Sequence, residues 1–202
     1  MAKNLAAPVS VNAAEPVDGR RSRTVETRKR IVKALTELIR EGRHSPTAED
    51  VSVRANVGLR TVFRHFDDME TLYREIQNEV QGIIGAMQHL QYSSNVWQEQ
   101  LVECIEARCR LYEGITPFFI SAQVHRGNSV VIDLGIRYGV DLERAVLKRI
   151  IPADIQSDKP RFEALIMALS PEAWVRLRRE QGLAFGAALA SLQLLTRALT
   201  QT

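Results

Sequence analysis

The sequence predicts an all-α protein of about nine helices, in which a three-helix helix-turn-helix module precedes a larger helical body. Apolar residues recur at intervals of three and four residues along most of the chain, and no pair of segments shows the alternation of half-buried strands. Capping residues, glycines and prolines divide the chain into segments of helical length. With 202 residues, of which 45% are hydrophobic, the chain can bury a sizeable core.

The first segment, residues 1–22, is expected to be a disordered basic arm. It is rich in Ala, Val, Asn and Pro, has no helical periodicity and closes on Arg20 and Arg21. The helical pattern begins at Thr24, and Gly42 is placed to end the first helix. The composition therefore predicts a helix-turn-helix domain over residues 23–68, followed by a helical body over residues 69–202.

Two short helices separated by a tight turn follow the first helix. Thr47 stands before an acidic first turn, where its hydroxyl can cap a helix. Asn56 tolerates the left-handed backbone of a tight turn, and Gly58 precedes a second short helical segment. Two short helices joined by about three turn residues have helix-turn-helix geometry. The spacing of four between Val62 and Phe66 predicts that both side chains face the core.

The body also has a helical pattern, divided by capping residues and helix breakers. Asp67 and Asn95 each begin a capping-box sequence, and we expect Pro117 to open a short apolar run. Ser129 is placed to begin another helix, and Ser170 to cap one that has a proline at its first position. These signals predict a succession of helices through to the end of the sequence.

Charge is unevenly distributed along the chain. Residues 1–66 carry 13 Lys or Arg against 7 Asp or Glu, although the net charge of the whole chain is only +3. The basic end is the candidate for contact with a polyanion. Because no window reaches about 18 uninterrupted apolar residues and no secretory signal is evident, we expect a cytoplasmic protein without a membrane partner. Cys104 and Cys109 fall on different helix faces, which favours reduced structural thiols over a disulfide or a zinc site.

The segment spanning residues 24–73 resembles the DNA-binding domain of the TetR family of transcriptional regulators. The resemblance covers about a quarter of the chain and lies in residues 47–51, 55–58 and 61–66, followed by Leu72. It implies a homodimeric repressor that binds a palindromic double-stranded DNA operator. It also implies release of the DNA when a small-molecule effector occupies the body. Such a protein would act in the cytoplasm, on nucleoid DNA.

Several residues of the basic end are expected to contact DNA. The second helix of the motif is expected to lie in the major groove, where Arg60 is the strongest candidate to pair with a guanine edge. Phosphate contacts are expected at the start of the preceding helix and at the end of the second. The N-terminal arginines either follow the DNA backbone or form a flexible tail. His65 either contacts a phosphate or packs beside Phe66. The expected DNA contacts are Arg23, Arg28, Thr47, Leu59, Arg60, Thr61, Phe63, Arg64 and His65.

Dimerisation and ligand binding are assigned to the body. One short helix contacts too few base pairs to select a site, so two copies of the chain are needed. The apolar helices over residues 170–199 are expected either to pair across a two-fold axis or to fill the core of a monomer. Aromatic residues of the body are candidates to line an apolar pocket, with an ordinary core role as the alternative. The candidate pocket residues are Trp97, Tyr112, Phe118, Phe119, His125, Arg137 and Tyr138.

Two other function classes remain alternatives. A helical adaptor would use its N-terminal module to bind protein instead of DNA. An enzyme is less favoured, since no phosphate-binding loop, metal-ligand pair, nucleophile elbow or cysteine–histidine pair occurs at a useful spacing. We therefore expect no catalytic residue, no metal and no cofactor.

Overall fold

The computed structural model describes residues 19–201, which form ten α-helices and no strand. The predicted all-α class is confirmed. The helices are α1 (Gly19–Arg40), α2 (Ala48–Ala55), α3 (Leu59–His65), α4 (Met69–Gly85), α5 (Trp97–His125), α6 (Val130–Ile150), α7 (Ala153–Ser157), α8 (Lys159–Ala168), α9 (Pro171–Val175) and α10 (Phe185–Thr200). Two 3-10 turns and one π-helical turn extend three of these helices at Ala86–His89, Arg126–Asn128 and Arg176–Glu180.

Helix α1 begins earlier than the sequence predicts. The backbone is helical from Gly19, five residues before the expected start at Thr24, so the last residues of the predicted arm belong to this helix. The rest of the predicted arm, residues 1–18, lies outside the described residues. The end of the helix agrees with the sequence, because Gly42 has a φ of 93°, in the left-handed region that favours glycine.

Local signals build the helix-turn-helix motif as the sequence predicts. Thr47 and Asp50 form a capping box at the start of α2: the threonine hydroxyl accepts the Asp50 N–H at 3.2 Å, and the aspartate carboxylate accepts the Thr47 N–H at 3.0 Å. Asn56 ends α2 with a left-handed φ of 50°, and Gly58 is the N-cap of α3. The chain thereby reverses direction within three residues and presents α3 beside α2.

Three predicted helix boundaries in the body differ from the structure. The N-cap of α5 is Val96, with no side-chain cap hydrogen bond, so the capping box expected at Asn95 does not form. Helix α4 is capped by Asp68, not Asp67, and the Asp68 carboxylate accepts the backbone N–H three residues on at 2.7 Å. Pro117 opens no separate segment but lies inside the 29-residue helix α5. A proline removes one helical hydrogen bond, and the buried neighbours Ile115 and Phe118 anchor the helix on both sides of it.

Two hydrophobic clusters form the interior and meet along α4 and α5. The N-terminal cluster joins α1, α2, α3 and the first half of α4, and it also takes in Phe118 of α5 and Ile132 of α6. The body cluster is built by α5 to α10 around the fully buried Trp174, whose indole N–H donates to the Glu113 carboxylate at 3.0 Å. Since side chains of the body pack into the N-terminal cluster, the two parts share one packed boundary.

Other expectations for the body are met. Ser129 caps α6, and Ser170 caps α9 with Pro171 at the first helical position. Cys104 and Cys109 are buried and are not joined to each other. No helix among residues 19–201 combines the length and the apolar composition that crossing a membrane would require.

Candidate nucleic-acid interface and ligand cavity

Helix α3 packs one face on the core and presents the other to solvent. Val62 and Phe66 are each 1% exposed and belong to the N-terminal cluster, as the sequence predicts. On the opposite side, Leu59 and Phe63 are 37% and 46% exposed, which is unusual for large apolar side chains on so short a helix. The exposed face consists of Leu59, Arg60, Phe63 and Arg64.

The two arginines of this face have no internal partner. Neither Arg60 nor Arg64 makes a hydrogen bond or an ion pair with any other residue in the described part of the chain. Arg54 of the neighbouring helix, by contrast, pairs with Glu41 at 2.6 Å and with Glu37 at 3.5 Å. A guanidinium without a carboxylate partner keeps all five N–H donors available for an external acceptor.

Thr47 and His65, the two residues with expected phosphate contacts, have different environments. The Thr47 side chain is exposed, and its hydroxyl is already engaged in the capping box with Asp50. His65 is half-buried at the end of α3, where burial, followed by the charges of Arg64 and Arg28, lowers the pKa of its imidazole. The imidazole is therefore neutral at pH 7 and can donate one hydrogen bond without adding positive charge.

Arg28 is part of the packed module and not of a free arm. Its guanidinium donates to the His65 carbonyl oxygen at 2.6 Å and to the Glu75 carboxylate at 2.6 Å, and it lies 4.1 Å from the centre of the Phe66 ring. It satisfies a carbonyl at the end of α3 and ties α1, α3 and α4 together. Arg23, five residues earlier, is exposed on the same helix.

A cavity of about 100 Å³ lies between α4, α5 and α6. Two of the predicted pocket residues, Phe118 and Phe119, line it. Trp97 instead borders an open groove beside α10, and Tyr112 borders a smaller space behind the cavity wall. The apolar wall includes Ile76, Val80, Ile84, Ile115, Ile132 and Ile136.

The remaining predicted pocket residues do not line this cavity. Arg137 forms a surface ion pair with Asp133 at 2.8 Å, and Tyr138 is half exposed. The His125 ring stacks on the Tyr73 ring with 4.1 Å between their centres. The aromatic residues of the body recur at helical spacing along the sequence, but they lie on different sides of α5 and α6.

Glu143 is a buried acid in the cavity wall. It is 8% exposed, and its Oε1 atom lies 3.0 Å from the Tyr112 hydroxyl, whose single proton is shared with the Leu169 carbonyl oxygen at 2.8 Å. Its Oε2 atom is buried without a partner in the described structure. Arg108, also buried, donates to the Glu143 carbonyl oxygen at 2.8 Å and to the Leu169 carbonyl oxygen at 3.4 Å. Burial raises the pKa of Glu143 to about 7, although the positive charge of Arg108 opposes the rise.

The cavity wall is attached to the start of the helix-turn-helix motif. The Tyr73 hydroxyl donates to the Pro46 carbonyl oxygen at 3.2 Å, and the Ser121 hydroxyl donates to the His44 carbonyl oxygen at 2.7 Å. Both side chains also line the cavity. The segment that they hold leads directly into α2.

Comparison with known proteins gives a structural likeness. No family model matches the sequence, and no curated protein matches it. Among solved structures, the chain is similar to SCO7518 of Streptomyces coelicolor A3(2), which is described as a candidate transcriptional regulator, with a TM-score of 0.58. The two chains share a fold. The likeness covers 88% of this chain and 99% of that one at 18% sequence identity, a level at which it shows the fold alone.

Sequence reasoning missed the polar residues of the cavity, Gln77, Ser121 and Glu143. A signal for one of them is present, because Glu143 stands among the buried positions Leu142 and Val146 on the apolar side of α6. An acid on an apolar helix face indicates either a buried partner or a polar site. The sequence does not show that Tyr112 reaches only one of the two carboxylate oxygens.

Proposed function

We propose that this chain is a sequence-specific DNA-binding transcriptional regulator that binds its operator as a two-fold dimer and leaves it when a small molecule fills the cavity. The observation that carries the proposal is α3, a short helix with a buried apolar side and a solvent face that holds two arginines without partners among residues 19–201. The description of the structurally similar Streptomyces protein as a candidate transcriptional regulator supports the same conclusion.

Helix α3 has the dimensions and chemistry of a DNA recognition helix. The major groove of B-DNA, about 12 Å wide, admits one α-helix and displays a distinct pattern of donors and acceptors for each base pair. Arg60 in the first turn can pair with O6 and N7 of guanine, and Leu59 can contact a thymine methyl. Arg64, one turn later on the same face, is placed for a second base or a phosphate.

A second copy of the chain is needed to reach operator specificity. One such helix contacts only a few base pairs, whereas two helices related by a two-fold axis contact two half-sites about 34 Å apart. The apolar side chains available for pairing lie on α8 and α10, two helices that pack on each other, where Met167 and Leu194 are each 69% exposed and Leu195 is 45% exposed. We assign the dimer interface to this face, which overlaps the sequence-based range 170–199 and adds α8.

Release of DNA follows from the attachment of the cavity wall to the motif. A ligand that enters between α4, α5 and α6 displaces Tyr73 or Ser121, whose hydroxyls hold the segment leading into α2. In a dimer, a small shift of each motif changes the distance between the two recognition helices. That distance must match the helical repeat of DNA, so the ligand-bound form loses operator affinity.

The experiment that tests the proposal is selection of bound sequences from a random duplex library with the full-length protein. We expect an enriched palindrome with a half-site spacing near one helical turn. Arg60→Ala should lower affinity for that duplex by about 10-fold to 100-fold and relax the preference at one base position in each half-site. Arg179→Ala is the matched control, because Arg179 is an exposed arginine of the body.

Two results would contradict the proposal. One is the absence of any enriched sequence, together with a shallow dependence of binding on salt, which would favour the adaptor. The other is an equal loss of affinity in the Arg60 and Arg179 variants, which would show that general positive charge drives binding and α3 does not.

A further inference from the structure

Two polar groups of the cavity wall are hydrogen-bond acceptors that have no donor in the described structure. Glu143 Oε2 and Gln77 Oε1 are both buried in the cavity wall without a hydrogen-bond partner in the described structure. The Gln77 amide nitrogen donates to the Ile132 carbonyl oxygen at 3.2 Å, which leaves the amide oxygen as the free end. The Tyr112 hydroxyl occupies Glu143 Oε1, which leaves Oε2. Buried polar atoms are nearly always paired, so each of these two acceptors is a place where a donor can bind.

The charge of the wall is negative. Glu143 and Glu172 line the cavity, and no Lys, Arg or His is among the described residues that line it. Arg108 approaches Glu143 from α5, but its guanidinium is used by two backbone carbonyl oxygens. Arg108 partly offsets the charge of Glu143 but does not line the cavity. A ligand carboxylate or phosphate would therefore meet two acids and no cation in the described wall, whereas an ammonium group would meet the unpaired oxygen of Glu143.

We propose that the cavity binds a small apolar amine, whose protonated nitrogen donates a hydrogen bond to Glu143 Oε2 while its hydrocarbon part contacts the isoleucine and phenylalanine side chains of the wall. The inference rests on the proposed function, because it names the chemical class of the molecule that regulates DNA binding. The cavity holds about 100 Å³ of accessible space, and one water needs about 10 to 15 Å³ of such space. The empty space therefore suits a group of phenyl size, and a short side arm fits only when part of the wall moves.

Proton linkage gives the proposal a second signature. Burial raises the pKa of Glu143 to about 7, so about a tenth of the empty protein holds this acid ionised at pH 6 and about nine-tenths at pH 8. The other charged or titratable groups that face it are Arg108 and Tyr112 on α5 and Glu172 on α9. Because an amine stays protonated throughout this range, its affinity should rise about tenfold from pH 6 to pH 8.

The test is isothermal titration calorimetry of the full-length protein with three matched probes: 2-phenylethylamine, 2-phenylethanol and 3-phenylpropanoate. At pH 8 we expect the amine to bind at least tenfold more tightly than the alcohol or the carboxylate. Glu143→Gln should weaken amine binding at least tenfold, abolish its pH dependence and leave alcohol binding within threefold. Glu163→Gln is the control, since Glu163 is an exposed acid that pairs with Arg144 on the surface.

The proposal is overturned if the amine does not bind at 10 mM, if the three probes bind equally, or if a folded Glu143→Gln variant keeps the affinity of the parent. Should that variant fail to fold, Glu172→Gln tests the same wall and is expected to weaken amine binding at least threefold. A parallel titration with the selected duplex separates the two proposals. If the protein binds the amine but not DNA, the proposed regulatory function is refuted and the proposed cavity ligand stands. If it binds DNA but not the amine, the proposed ligand is refuted and the regulatory function stands.

Discussion

Replacement of Glu143 by Gln should stabilise the protein at alkaline pH and change its stability little at acid pH. The substitution keeps the shape of the side chain and an oxygen that can accept the Tyr112 hydroxyl, but it removes the titrating group. Glu143 is 8% exposed, and burial raises the pKa of its carboxyl from 4.5 to about 7. The folded protein therefore binds a proton that the unfolded chain has already released above pH 5.

The sign and the size of the effect follow from this difference in pKa. A group whose pKa is higher in the folded state favours folding fully below its unfolded pKa, and that contribution is lost as the pH rises through the folded pKa. For a rise from 4.5 to about 7, the loss between pH 5 and pH 8 is about 2 to 3 kcal/mol. The glutamine side chain does not titrate. The difference in free energy of unfolding between variant and parent should therefore shift in favour of the variant by this amount between pH 5 and pH 8.

Urea unfolding of both proteins at pH 5, 6, 7 and 8, at one chain concentration, measures the difference. Titrations elsewhere in the molecule cancel, because only the gap between the two proteins is compared. Glu163→Gln serves as a control of opposite sign, since a hydrogen bond from Arg144 lowers the pKa of that exposed carboxyl. A gap that stays constant with pH would refute the assignment of Glu143 as a buried acid with a raised pKa.

Three further predictions concern the motif and the dimer. Arg28→Ala should lower the free energy of unfolding by about 2 kcal/mol, because it removes the hydrogen bonds to His65 and Glu75 and the contact with Phe66. The control Arg30→Ala, on the exposed side of α1, should change it by less than about 0.5 kcal/mol. Urea unfolding measures both variants. Asn56→Ala should lower it by about 1 kcal/mol and Asn56→Gly should not, because the φ of 50° strains alanine. Leu194→Asp should yield a monomer in sedimentation experiments at micromolar concentration, and a dimer that persists would exclude the α8 and α10 face.

The features predicted correctly from the sequence are those that a few neighbouring residues decide. Asn56, Gly58 and the pair Thr47 and Asp50 determine the turn of the motif by their own backbone and side-chain chemistry, and all four act as local rules require. The buried positions of Val62 and Phe66 follow from helical periodicity. The expected DNA contacts on α3 stay predictions, although the exposed face that they need is present.

The features that were missed depend on residues far apart in the sequence. Pro117 suggests a helix break locally, but packing of its neighbours into two clusters continues α5 through it. Arg28 looks like part of a basic arm until His65 and Glu75, 37 and 47 residues away, are placed beside it. The cavity shows the same limit, because helical spacing predicts which residues are apolar but not which helix faces a neighbour and which faces a gap.

The position of Glu143 connects the two proposals through one physical requirement. A ligand can change DNA binding only if it has different affinities for the DNA-binding and the released forms. The wall that carries Glu143 and Gln77 also includes Tyr73 and Ser121, the side chains whose hydroxyls hold the segment leading into α2. An amine that pairs with the acid must displace part of this wall, because the empty cavity of about 100 Å³ is barely larger than a ring. In the proposed mechanism, a ligand that binds at Glu143 therefore disfavours the positions of Tyr73 and Ser121 that hold the motif in place. This opposition is the difference in affinity that regulation by a small molecule requires.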